Sequence, residues 1–125
     1  MSKLWIYTNY DCNLKCAYCS VESSPVAPRR ALSLSTVQQL IDEAVALNFA
    51  EVFFTGGEPF ILDKIYEMLA YASTRVKTTV LTNAMLLKGR RLERLCAIRH
   101  DNLIVQVSLD GAQPAQHDAY RGAGS

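Results

Sequence analysis

The chain has 125 residues, half of them hydrophobic, and 13 Lys and Arg against 12 Asp and Glu give a formal net charge of +1 at pH 7. This length supports one compact domain and is too short for two. Because positive and negative charges nearly balance, the composition excludes binding to nucleic acid or an anionic membrane through a large excess of positive charge. No segment approaches the ~20 continuous apolar residues that span a bilayer. The first apolar run, at residues 4–8, is too short for the core of a signal peptide, so a cytoplasmic protein is expected.

Four short runs rich in aromatic and β-branched residues predict strands, at residues 4–8, 52–55, 77–82 and 103–109. Helical periods separate these runs, and a further short helix is predicted near Pro114. Such alternation predicts an α/β fold with parallel strands and right-handed helical crossovers. In the fourth strand, Leu103, Val105, Val107 and Leu109 share an apolar face that is predicted to pack on helices. Gln106 and Ser108 share the opposite face, which is predicted to line a barrel interior or cleft.

Three helices between the strands are predicted from capping residues and apolar stripes. Ser35 with Gln38 fits a capping box at the start of the first helix, and Asp63 is predicted to cap the second. The third helix is predicted at about residues 89–98. Its Cys96 lies on the apolar side and is interpreted as a small buried hydrophobe.

A cluster of cysteines follows the first strand directly. Cys12, Cys16 and Cys19 have the spacing C-x3-C-x2-C. Three thiolates on one loop can hold three irons of a cubane cluster and leave the fourth iron open to a small molecule, whereas ordinary four-iron carriers use four cysteines. A structural zinc site also uses four ligands, and Cys96, which is distant in the sequence, is the only cysteine that could join the three on the loop. In a chain without a secretory signal, this clustering indicates metal or cluster ligation rather than disulfides.

Polar or glycine-rich motifs also follow the other three strands. They are Gly56-Gly57-Glu58-Pro59, Thr82-Asn83 and Ser108-Leu109-Asp110-Gly111. Each alone is a common turn or cap. The carboxyl ends of parallel strands meet at one edge of a sheet, where ligand sites gather. The four strand ends are therefore predicted to face one site.

Together these motifs resemble the N-terminal part of a radical S-adenosylmethionine (SAM) enzyme, over residues 5–125. The cysteine loop, with Tyr18 before its last cysteine, resembles the defining motif of that superfamily. The other glycine-rich segments resemble its second motif and its ribose-contacting motif. His117-Asp118 followed by Arg121 resembles the branch of anaerobic sulfatase maturases and other SPASM-type peptide-modifying enzymes. The resemblance implies about four strands of a partial TIM barrel.

The resemblance also implies roles for particular residues. Cys12, Cys16 and Cys19 would ligate a [4Fe–4S] cluster whose open iron chelates the methionine part of SAM. The implied SAM contacts are Gly56, Gly57 and Glu58 at the amino group, through backbone carbonyls or the Glu58 carboxylate; Ser108 and Asp110 at the ribose; Tyr18 near the adenine; and Asn83, contacting SAM or supporting its site.

The implied reaction is reductive cleavage of SAM to a 5′-deoxyadenosyl radical, which abstracts hydrogen from a substrate. The branch resemblance implies that this substrate is a peptide or protein. Radical generation needs no acid–base pair, so no catalytic residue is assigned beyond the cluster ligands. His117 and Asp118 are interpreted as helix or loop contacts. The alternative function is a non-catalytic module that binds a cluster or zinc without cleaving SAM.

The length limits these expectations. The superfamily's partial barrel usually has six strands, so residues 1–125 are expected to be the N-terminal portion of a core domain, without a second domain. The fourth strand would then present an open edge, which self-association could cover. The basic stretch from Lys88 to Arg99 is interpreted as a solvated helix face, with contact to an acidic electron donor, such as flavodoxin or ferredoxin, as the other interpretation.

Overall fold

The computed structural model describes all 125 residues as one parallel sheet with helices. The strands are β1 (Lys3–Tyr7), β2 (Glu51–Thr55), β3 (Lys77–Thr82) and β4 (Leu103–Val107), and their spatial order is the order of the chain. The helices are α1 (Leu34–Ala46), α2 (Ile65–Ser73), α3 (Arg90–Cys96) and α4 (Pro114–Arg121), with a 3-10 turn at Pro59–Ile61. The predicted α/β fold with parallel strands is confirmed. None of the helices has the length and apolar character that crossing a bilayer requires.

One face of the sheet packs on α1 and α2 and forms the core. Strand residues alternate between the two faces, and those pointing to this side are almost wholly buried. Full burial of each large aliphatic or aromatic side chain contributes about 1.5–3 kcal/mol. This layer therefore holds the strands, and the loops that follow them, in fixed positions. Its fully buried members include Ile6, Val52, Phe54 and Val80 from the strands, Val37 and Ile41 from α1, and Met68 and Leu69 from α2.

The opposite face of the sheet lines a cavity. Trp5 and Phe53 are paired across β1 and β2, and their rings stack with centroids 4.3 Å apart and an angle of 12° between planes. Ser108 lines the same cavity, as predicted for its face of the fourth strand. Residues that follow each strand therefore lie around the cavity on this side of the sheet.

The prediction that the apolar face of β4 packs on helices is wrong beyond its first residue. Leu103 packs against the core, but Val105, Val107 and Leu109 are 36%, 51% and 73% exposed. The cause is the position of the next helix, because α4 contacts the cysteine loop, where Ala17 N–H donates to the Tyr120 carbonyl at 3.0 Å. The outer edge and this face of β4 are left open to solvent.

Two of the predicted helix caps are wrong. The N-cap of helix α1 is Ser33, two residues before the predicted cap at Ser35, and its Oγ accepts the Thr36 N–H at 3.2 Å. Ser35 lies inside the helix and makes no capping bond to its backbone. Helix α2 has Lys64 at its N-cap with no side-chain cap, so Asp63 does not cap it.

The expectation that Cys96 is buried is also wrong. Helix α3 has only seven residues, and Leu95 is the one that it buries in the core. Cys96 is the last residue of this helix, and it is exposed. A short helix resting on a single buried side chain leaves its neighbours in solvent.

Candidate functional site

A cavity of about 430 Å³ opens at the carboxyl ends of the strands. This volume lies within the range of small-molecule sites. Nine of the ten site residues predicted from the sequence line it: Cys12, Cys16, Tyr18, Cys19, Gly56, Gly57, Glu58, Asn83 and Ser108. The tenth, Asp110, lies beside the cavity and not in its lining. The four strand-end motifs thus converge as expected, while their roles toward a ligand stay predictions.

The base of the cysteine loop is closed by backbone and ionic contacts. Asp11 and Ser24 form an isolated parallel bridge, and Cys12 N–H donates to the Ser24 carbonyl at 3.1 Å. The buried Asp11 carboxylate accepts hydrogen bonds from Asn9 at 2.8 Å and from Arg29 at 2.9 Å. Burial works against ionisation of Asp11, but these two donors hold its pKa below the usual value. Sequence reasoning did not find this anchoring pair, since no local motif links Asp11 to Arg29.

The three thiols that line the cavity are free and have different surroundings. Cys12 Sγ accepts the Leu14 N–H, and Cys19 Sγ accepts the Ser23 N–H, both at 3.4 Å. No N–H group of another residue donates to Cys16 Sγ in this way. Burial raises the pKa of Cys12 and Cys16. Backbone N–H groups aimed at sulfur favour the thiolate form that metals bind, and they tune the potential of iron–sulfur clusters.

The Gly-Gly turn fits against the backbone of the cysteine loop. Gly57 N–H donates to the Asn9 carbonyl at 2.7 Å, and Glu58 N–H donates to the Asp11 carbonyl at 3.0 Å. A Cβ at Gly57 would lie 1.9 Å from the Asp11 carbonyl oxygen, and Gly56 has a φ of +140°. Only glycine fits at either position. The carbonyl oxygens of both glycines accept no hydrogen bond within the chain and are free acceptors beside the thiols.

Glu58 connects the end of β2 to the end of β3. Its side chain is 1% exposed, and its carboxylate accepts hydrogen bonds from Thr82 Oγ1 at 2.6 Å, Asn83 N–H at 2.9 Å and Phe60 N–H at 3.2 Å. Burial raises the pKa of Glu58, and these donors oppose the rise. Asn83 in turn donates from Nδ2 to Asn13 Oδ1 at 2.9 Å. The Glu58 carboxylate therefore braces the site, and both of its oxygens have partners inside the protein.

The Tyr18 and Asp110 side chains meet on the other side of the cysteine loop. The Tyr18 hydroxyl donates to the Asp110 carboxylate, and Arg121 donates to Asp110 Oδ2 and to the Tyr18 hydroxyl, each at 2.6 Å. The hydrogen bond from Tyr18 and then that from Arg121 lower the pKa of Asp110. Asp110 N–H donates to His117 Nδ1 at 3.1 Å, which is a structural contact of the kind expected for His117. Sequence reasoning gave Arg121 no individual role.

The donor set fits a [4Fe–4S] cluster with SAM. The three free thiols on the cysteine loop are the cysteines that line the cavity, and Cys96 does not line it. A structural zinc site uses four ligands, whereas a cubane cluster held by three cysteines keeps one iron open to a small molecule. Ser23, which also lines the cavity, is 4% exposed, and its Oγ has no hydrogen-bond partner. A buried hydroxyl without a partner is suited to a polar ligand.

The profile described as the Radical SAM superfamily matches residues 6–125. This chain therefore belongs to the radical SAM superfamily, as its motifs indicated, and its sheet is about four strands of that superfamily's partial barrel. It is 36% identical over 112 residues to the antilisterial bacteriocin subtilosin biosynthesis protein AlbA of Bacillus subtilis, covering 89% of this chain and 25% of that protein. It is 37% identical over 117 residues to the mycofactocin maturase MftC of Mycobacterium ulcerans, covering 93% of this chain and 31% of that protein.

Solved structures of SuiB from Streptococcus suis share the fold. The structure bound to S-adenosylmethionine has a TM-score of 0.82 at 25% identity, covering 95% of this chain and 27% of that one. The structure bound to the precursor peptide SuiA has a TM-score of 0.84 at 25% identity, covering 95% and 26%. The chain thus spans about a quarter to a third of the length of these relatives.

Proposed function

We propose that this chain holds a [4Fe–4S] cluster on Cys12, Cys16 and Cys19 and binds SAM beside it for radical generation. When bound, the cluster and SAM supply an electron and a 5′-deoxyadenosyl radical that abstracts hydrogen from a substrate. The observation that carries the proposal is the meeting of three free thiols with the uncovered Gly56 and Gly57 carbonyls in one cavity.

The residues of the cavity have separate tasks in this proposal. The Gly56 and Gly57 carbonyls accept hydrogen bonds from the ammonium group of SAM, because an ammonium needs several fixed oxygen acceptors. Glu58 holds these carbonyls in place from behind, through its bonds to the end of β3. The ribose is assigned to the Ser108 hydroxyl, which lines the cavity, and to the Asp110 carboxylate, which lies beside it.

The remaining two SAM contacts, Tyr18 and Asn83, both line the cavity. Tyr18 packs near the adenine. Asn83 supports the site through its bond to Asn13, and its Nδ2 lies 3.7 Å from Cys12 Sγ. Fixed donors and acceptors of this kind orient a bound ligand before reaction. The cytoplasmic location expected from the sequence is part of the same proposal.

The proposed substrate is a peptide or protein. The supporting observations are the relatives, which include a mycofactocin maturase and a SuiB structure with its precursor peptide bound. Abstraction of hydrogen from a peptide requires the substrate carbon to reach the cavity, which opens at the carboxyl ends of the strands.

An acidic electron donor, such as flavodoxin or ferredoxin, is the second proposed partner. Lys88, Arg90, Arg91 and Arg94 surround a second cavity of about 260 Å³. Three of these cations, all but Arg94, form no ion pair within the chain. Unpaired positive charge at one surface favours an acidic partner by steering its approach.

Anaerobic reconstitution with iron and sulfide tests the cofactor part of the proposal. We expect about four irons per chain, and, after addition of dithionite and SAM, formation of 5′-deoxyadenosine. Cys16→Ser should lose the cluster, whereas Cys96→Ser, the matched control on the exposed end of α3, should keep it. A cluster that forms without SAM cleavage would support the non-catalytic module instead. Uptake of zinc and no iron under anaerobic handling would refute the cluster assignment.

A further inference from the structure

We propose that Arg121 is a positioning residue that holds the cysteine loop against α4 and supplies the positive charge next to Cys16. The inference rests on the proposed function, since its second half concerns the cluster that Cys16 would ligate. It assigns a role to the last residue of α4, which lies outside the four strand-end motifs to which the cluster and SAM contacts are assigned.

The geometry of Arg121 is that of a clamp. Its Nε donates to Asp110 Oδ2 and its Nη2 to the Tyr18 hydroxyl, each at 2.6 Å, and the Tyr18 hydroxyl itself donates to Asp110. The three side chains form a closed ring of hydrogen bonds. Because a planar guanidinium presents its donors as a rigid fork, it fixes both acceptors relative to each other, which a lysine does not do.

Two further contacts act at the same junction. Ala17 N–H donates to the Tyr120 carbonyl at 3.0 Å, and the rings of Tyr18 and Tyr120 meet edge to face with centroids 6.3 Å apart. Ala17 and Tyr18 are the two residues between Cys16 and Cys19. The last turn of α4 therefore contacts the part of the cysteine loop that separates Cys16 from Cys19.

Arg121 also places a positive charge in the cavity that Cys16 lines. Cys12 and Cys19 each accept a hydrogen bond from the backbone N–H of another residue, while Cys16 accepts none from another residue. The side chain of Arg121 is 11% exposed and lines the cavity. Cys16 lines the same cavity, and the hydrogen bond from Arg121 to the Tyr18 hydroxyl lies two residues after it in the loop. A cation shielded from water interacts more strongly with a neighbouring thiolate than an exposed one does.

The test compares Arg121→Gln, Arg121→Lys and Arg30→Gln with the wild-type chain. Arg30 is exposed and has no ion pair or hydrogen bond from its side chain, so Arg30→Gln is the matched control. Two quantities are measured: amide hydrogen exchange of Ala17 in the metal-free chain, and the midpoint potential of the reconstituted cluster.

The two halves of the inference predict different patterns. In Arg121→Gln, Ala17 exchange should rise on the order of tenfold, because the loop loses its clamp, and the potential should become more negative, because a cation has left the cluster. In Arg121→Lys, exchange should rise in the same way while the potential stays near wild type. Arg30→Gln should match wild type in both. If Arg121→Gln does not fold, Tyr18→Phe, which removes one oxygen, should speed Ala17 exchange and leave the potential unchanged.

Failure of the inference is distinguishable from failure of the proposed function. Wild-type Ala17 exchange in Arg121→Gln, or in Tyr18→Phe where that variant replaces it, overturns the clamp. An unchanged potential in Arg121→Gln overturns the electrostatic role. A wild-type chain that takes up no iron overturns the proposed function and the electrostatic role with it, while the exchange measurement still decides the clamp.

Discussion

Replacing Gly57 by Ala tests whether the Gly-Gly turn and the cysteine loop form one unit. The added methyl would lie 1.9 Å from the Asp11 carbonyl oxygen, which is backbone and cannot swing aside. Overpacking of this kind costs about 1–3 kcal/mol. The displacement would also weaken the bonds from Gly57 to Asn9 and from Glu58 to Asp11, each contributing about 0.5–1.5 kcal/mol.

The expected loss in the free energy of unfolding is therefore about 3 kcal/mol, a large share of the roughly 5–15 kcal/mol of a typical domain. The assay is urea unfolding of the metal-free, reduced chain followed by circular dichroism. With a slope of roughly 1–3 kcal/mol per molar urea, the midpoint should fall by about 1–3 M.

Gly89→Ala is the control for this experiment. A methyl at Gly89 meets nothing within 4 Å, but the φ of +56° makes the substitution strained. Its cost should be about 1 kcal/mol, from backbone strain alone. If the midpoint of Gly57→Ala lay within about 0.3 M of wild type at an unchanged slope, the steric reasoning would be refuted.

Three further outcomes are expected. Thr82→Val removes the hydroxyl that donates to the buried Glu58 carboxylate, and urea unfolding should show a loss of about 1–3 kcal/mol; a loss near zero would contradict the bracing role of Glu58. Ser33→Ala should cost about 1 kcal/mol in the same assay because it removes the cap of α1, whereas Ser35→Ala should stay within about 0.5 kcal/mol, and equal losses would be inconsistent with the cap assignment. Light scattering should show wild type self-associating through the open edge and face of β4, and Val107→Lys should reduce its mean mass; a wild-type chain that remains monomeric argues against this.

The sequence was sufficient to predict the sheet because its signals are local. Runs rich in aromatic and β-branched residues located all four strands to within two residues at each end, and alternation with helical periods predicted that they are parallel. The same rule placed the chemical motifs at one edge of the sheet. The convergence of nine site residues on one cavity follows from topology, without knowledge of any side-chain contact.

The wrong predictions concern features that depend on neighbours distant along the chain. Ser33 and Ser35 both offer a capping hydroxyl, and only the start of the helix, set by how α1 packs, selects between them. Cys96 and Val107 lie in apolar stripes, but a stripe is buried only where another element covers it. An apolar stripe in the sequence shows which face of a helix or strand could be buried, but it does not show which element packs on that face.

The supports of the site were missed for a related reason. Arg121 bonds to Tyr18 across 103 residues of sequence, and Glu58 bonds to Thr82 across 24. Neither pair forms a motif with fixed local spacing. The signals that existed, a polar residue at a strand end and an arginine at a helix end, are each common in proteins with no such contact.

The strand order determines when each part of the site becomes available during synthesis. Each new strand of this sheet pairs with the strand made before it, so the sheet can grow as the chain leaves the ribosome. The cysteine loop emerges early, but Arg121 is added 103 residues after Tyr18, a delay of about 5–20 s at ordinary rates of synthesis. During that interval the three thiols are present without the contacts that Arg121 and α4 make with the loop. If the proposed cluster forms, we expect it to be held durably only after α4 has closed on the loop.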